Sequence, residues 1–182
     1  SQGMDTKTRI GVLASSALLC LGVAFAPVSS AGESPISLRY AGSGWDTHVD
    51  GFVPDGANVS LTTGTAKGTF GASTITITTE FRLEDAVTCP AGFPLKHALV
   101  YSAAVLTFED QSQLFGISQS GWICATAAGQ YYGEVSGAYV GGTGRFQTAT
   151  GDFVSKFDGQ YLEPNLSFRS IQGTVEGTVG RH

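Results

Sequence analysis

The chain reads as an all-β domain, either a barrel or a sandwich, and three observations lead there. Glycine is abundant, with 25 residues, while methionine occurs once, and Thr, Ser, Val, Phe and Tyr fill much of the rest. Apolar residues alternate with polar ones instead of recurring at helical spacing. Glycine-marked turns separate the apolar segments at intervals of roughly 10–15 residues, a spacing that suits barrels and sandwiches.

The strands can be taken in order. Thr74-Ile75-Thr76-Ile77-Thr78 alternates hydroxyl and β-branched side chains, as a half-buried strand does. Tyr101 to Phe108 is an apolar run ended by Glu109-Asp110, and Leu114 to Cys124 is another with a bend near Gly121. Tyr131 to Tyr139, Gly151 to Phe157 and Leu166 to Val179 complete the series. Pro54-Asp55-Gly56, Cys89-Pro90-Ala91-Gly92, Ala128-Gly129 and Asp158-Gly159 carry the turn residues between strands. Gly64-Thr65-Ala66-Lys67-Gly68-Thr69-Phe70-Gly71 is echoed by Gly173-Thr174-Val175-Glu176-Gly177-Thr178-Val179-Gly180. Glycine within a strand marks a bulge, a bend or close backbone approach, so these two segments are expected side by side where a barrel closes.

The N-terminal stretch has a different grammar. Residues 1–3 precede Met4 and read as a tag scar. Lys7 and Arg9 lead into an apolar run from Ile10 to Ala26, followed by Pro27 and the small residues Ser29-Ser30-Ala31. That order predicts a secretory signal peptide over residues 4–31, too short to span a bilayer, with a single domain over 32–182. The expected location is exported, either periplasmic or extracellular. Cys89 and Cys124 remain after cleavage, and in an oxidising compartment they are expected to form a disulfide.

Removing Lys7, Arg9 and Asp5 leaves eight basic against fourteen acidic side chains, a formal charge of −6. A mildly acidic surface without a basic run argues against nucleic acid as a partner, and no stable membrane insertion is expected after cleavage. The sequence calls for no cofactor. Asp46, His48 and Asp50 share one strand face and form a weak candidate metal set, against the plainer reading of a solvated face before a turn. There is no Gly-x-Ser-x-Gly elbow, and no serine is paired with His48 or His97 by spacing. Aromatic and ionisable residues on the strands supply the ligand-binding candidates Tyr101, Trp122, Tyr132, Glu134, Glu80 and Arg82.

The segment Val140-Gly141-Gly142-Thr143-Gly144-Arg145-Phe146-Gln147-Thr148-Ala149-Thr150-Gly151-Asp152-Phe153 reads locally as a tight connection. Its glycines permit positive φ, its two phenylalanines anchor the arms, and Arg145 pairs nearby or caps carbonyls. It resembles the Gly-Gly-Thr-Gly-Arg-Phe…Ala-Thr-Gly-x-Phe hairpin of the allene oxide cyclase-like and dirigent-like barrels, a group with uncharacterised bacterial secreted members. The resemblance spans roughly Gly64 to Val179. It implies a closed antiparallel barrel of about eight strands, calycin-like in shape, with an apolar cavity open at one end. It carries no activity across, because its members include a cyclase, proteins that steer radical coupling and others without a known role. The expected function is to bind a small apolar molecule in the barrel. The alternatives are an isomerase or cyclase acting on an apolar substrate, and a surface interaction or inhibitor module with a filled barrel.

Overall fold

The computed structural model describes residues 32–47, 57–162 and 168–181. The predicted signal segment lies outside them, as do His48 and Asp50. Eight antiparallel strands follow one another around a closed barrel: β1 (Ser34–Thr47), β2 (Ala57–Gly68), β3 (Gly71–Leu83), β4 (Leu95–Phe108), β5 (Gln113–Ala125), β6 (Gln130–Gly142), β7 (Thr150–Tyr161) and β8 (Phe168–Val179). Closure leaves no unpaired edge.

The two echoing glycine segments do not pair with each other. They flank β1 on either side, with Tyr40 opposite Ala66 on β2 and opposite Gly173 on β8. The barrel closes through the β1–β8 pairing. Small residues on both neighbours let β1 coil tightly: a Cβ on Gly64 would lie 2.2 Å from the Ala41 carbonyl oxygen.

Alternation sets the inner face. On β8, Arg169, Ile171, Gly173, Val175, Gly177 and Val179 share one parity, and Ile171, Val175 and Val179 are buried. Three register shifts interrupt that parity elsewhere, one of them between Leu114 and Gly116 on β5, where Gly142 and Tyr139 on β6 are the partners; the other two reorient side chains around the lumen. Glu80 and Phe81 on β3 pair with Tyr101 and Leu99, leaving Val100 as an extra residue on β4. Ser118 and Ser120 on β5 pair with Gly137 and Ser136, leaving Gln119 extra. A bulge shifts the strand by one residue, so the side chains beyond it change face. Below these bulges Ser102, Ala104, Gly116 and Ser118 face inward. Above them Leu95, His97, Ile123 and Ala125 do.

One end of the barrel is sealed. Phe146, fully buried on a single turn of 3-10 helix (Gly144–Phe146), has its ring centroid 5.4 Å from that of Phe70 and 5.0 Å from that of Phe108. Gly144 takes φ +56° to enter that turn, where a Cβ would strike the Ser112 hydroxyl. Arg145 packs over the Phe108 and Phe146 rings, donates to the Phe70 carbonyl at 3.0 Å and pairs with Asp110 at 3.5 Å. The expectation that Phe146 and Phe153 anchor this hairpin holds, since both are buried.

The disulfide between Cys89 and Cys124 is present, with Cα atoms 5.7 Å apart. Cys124 is buried on the outward face of β5, and the bond pins the β3–β4 loop against that wall. There the Phe93 ring meets the edge of Tyr132 at 4.9 Å. A buried disulfide belongs to an oxidising, non-cytoplasmic compartment.

Candidate functional site

Above the phenylalanine plug the barrel holds a lumen of about 430 Å³. Its walls differ in chemistry. A rung of hydroxyls crosses successive strands, because Ser60 pairs with Thr79, Thr79 with Ser102, and Ser102 with Ser118. Facing inward from β7 and β8 are Phe153, Phe157, Ile171 and Val175, interrupted by Ser155 and joined by Tyr161 and Arg169. Inner glycines let the aromatic rings lie flat against the wall. A Cβ on Gly173 would come 2.6 Å from the Tyr40 ring, and one on Gly133 would come 2.6 Å from Phe157. Glycine beneath an aromatic ring thus keeps the centre of the barrel open.

The polar end of the lumen is built around Asp46 and Arg169. Asp46 extends the hydroxyl rung onto β1, opposite Ser60. Arg169 reaches across from β8, where its Nη1 forms an ion pair with Asp46 Oδ1 and its Nη2 donates to Thr62 Oγ1 at 3.0 Å. Tyr161 donates to Asp46 Oδ2 at 2.5 Å, and Tyr131 donates to the Ser170 carbonyl at 2.7 Å. Burial, reinforced by the Asp46 charge, pushes the Tyr161 hydroxyl up to about 12. Burial raises Tyr131, Tyr139 and Tyr40 as well. These phenols therefore stay protonated at any ordinary pH, and Tyr131 and Tyr161 are the donors in their hydrogen bonds. His97 also faces the lumen; desolvation holds it below its usual 6.5, opposed by the nearby Asp46. Among the described residues, three side-chain atoms on lumen-lining residues have no hydrogen-bond partner: Ser60 Oγ, His97 Nδ1 and Arg169 Nε.

The six residues expected to contact a ligand sit outside the lumen. Tyr132 and Glu134 fall on the outward parity of β6, where Glu134 pairs with Lys156 at 3.7 Å. Trp122 would share the inward parity of Gly116 and Ser118 on a regular strand, but the bulge at Gln119 turns it outward against Tyr132. Tyr101 is exposed, and Arg82 is exposed beside Glu84. Glu80 lies on the outward parity of β3, between the inward Thr79 and Phe81. Of the weak metal set Asp46 alone is described; its partner is a guanidinium, and no group of three metal-ligating side chains occurs among the described residues.

Arg169, Tyr161, Ser60 and Thr62 were not singled out as site residues by sequence reasoning. The usable signal for Arg169 was its parity: a charged residue in phase with Ile171, Val175 and Val179 points into the barrel.

The fold and site together define an up-and-down β-barrel with an internal lumen plugged at one end. No protein-family model, curated protein or solved structure matches the chain.

Proposed function

We propose that this protein is an exported carrier that holds a small, mostly apolar molecule in its lumen. The observation that carries the reading is the open lumen itself, sealed at one end by Phe70, Phe108 and Phe146. Its volume lies in the range of small-molecule sites. A packed interior would have favoured an interaction module. The disulfide, the signal-like N-terminus and the resemblance of the 140–153 hairpin to lumen-bearing barrels support the same reading. The outward face carries Arg39, Lys67, Glu134, Lys156 and Glu176, which suits contact with water better than contact with lipid.

Native mass spectrometry of the protein, purified without detergent from its own source, tests this reading. A co-purifying small molecule of constant mass supports it. A bare polypeptide mass, together with no uptake of apolar probes at millimolar concentration, ends it.

A second reading, an isomerase acting on an apolar substrate, is favoured by one observation. Asp46, His97, Arg169 and the tyrosines Tyr40, Tyr131 and Tyr161 bring ionisable groups into a space that is otherwise apolar or hydroxyl-lined.

A further inference from the structure

Arg169 is 8% exposed and Ser60 is 4% exposed, and both line the lumen. Two of the three guanidinium nitrogens are occupied, by Asp46 and by Thr62, while Nε has no protein partner. Ser60 is Cα-paired with Asp46 and lies two residues from Thr62 on the same face of β2, which puts its unpartnered hydroxyl on the wall that also carries the guanidinium's two partners. Unpaired donors in a dry site cost free energy, and a ligand acceptor that meets them recovers it.

The charge of the site determines which acceptor fits. Arg169 and Asp46 form an ion pair, His97 is neutral because burial lowers its affinity for a proton, and the lining tyrosines are protonated. A carboxylate entering beside Asp46 would meet a like charge in a low dielectric without a spare cation to balance it. A ketone, aldehyde, ester or alcohol oxygen brings no charge.

We propose that Arg169 Nε and Ser60 Oγ form a two-donor clamp that selects apolar ligands bearing one neutral oxygen acceptor and rejects their carboxylate counterparts. This rests on the carrier reading and names the ligand class of the same lumen.

Three probes of one ring size separate the two claims: cyclooctane, cyclooctanone and cyclooctanecarboxylate, titrated into the full chain and followed by amide chemical shifts. Cyclooctanone is expected to bind at least tenfold more tightly than the carboxylate. Ser60→Ala should weaken the ketone about tenfold and leave cyclooctane unchanged, as the loss of a hydrogen bond predicts. Asp46→Asn, if its spectrum remains native, should raise carboxylate affinity, because the cation is then freed. Binding of all three probes with equal response to Ser60→Ala overturns the clamp and leaves the carrier reading standing. Tighter binding of the carboxylate than of the ketone overturns it too. Failure of all three probes to bind removes the carrier reading, and the clamp with it.

Discussion

Reducing the Cys89–Cys124 bond perturbs the unfolded chain more than the folded one. The bond spans 35 residues, from the β3–β4 loop to the far end of β5. In the chain-entropy treatment, closing a loop of that length removes about 4 kcal/mol of conformational freedom from the unfolded state. The native barrel loses little on reduction, because the strand ladders on both sides of β5 are untouched. For a domain of this size each kcal/mol shifts the midpoint by about 2–4 °C, so reduction should lower Tm by about 8–16 °C. Far-ultraviolet circular dichroism on heating, with and without reductant, reads this directly. The reduced protein has the same side chains, so no cavity term enters. A shift below about 2 °C would refute the loop-closure reasoning and would mean that residual structure already holds the two segments together in the unfolded chain.

Three other outcomes are expected from the same structure. Phe146→Ala removes the fully buried ring that plugs the sealed end and should cost about 3–5 kcal/mol in urea unfolding, whereas a loss under about 1 kcal/mol would mean the plug is not structural. Asp46→Asn leaves Arg169 as an uncompensated buried cation and should cost about 3–5 kcal/mol, while the double change Asp46→Leu with Arg169→Met should recover most of that; a double variant as unstable as the single one would contradict this account of the pair. Burial lowers the folded-state pKa of His97 below 6.5, so the unfolded chain takes up the proton first. The stability this contributes is present above 6.5 and is lost as pH falls from 6.5 toward the lower folded value, so denaturant midpoints should drop as pH falls below 6.5, less steeply in His97→Gln.

Much of the architecture was readable from residue order. Alternation in Thr74–Thr78, glycine punctuation and the paired cysteines pointed to β3, to the hairpins and to the disulfide. Phe146 and Phe153 were legible as anchors because each is the large apolar residue among small ones in its arm. The site was harder to read, and the bulges explain why. Val100 and Gln119 each shift their strand by one residue, which turns Trp122 outward and brings His97 and Ile123 inward, and no local pattern announces an extra residue in a strand. The Asp46–Arg169 pair joins residues 123 positions apart, and only the meeting of β1 with β8 brings them together. The echoing glycine segments were visible, but their placement on either side of β1 depends on strand order, which composition does not specify.

Amide shift mapping with cyclooctanone, on the wild-type chain and on Ala104→Trp, tests the lumen most directly. Ala104 faces the cavity, so an indole there fills it without touching the outer wall. Shifts are predicted to centre on Ile77, Ser102, Val135 and Ile171 and to vanish in the variant. Shifts confined to the outward residues Arg39, Lys67 and Glu134, undiminished in the variant, would contradict the account.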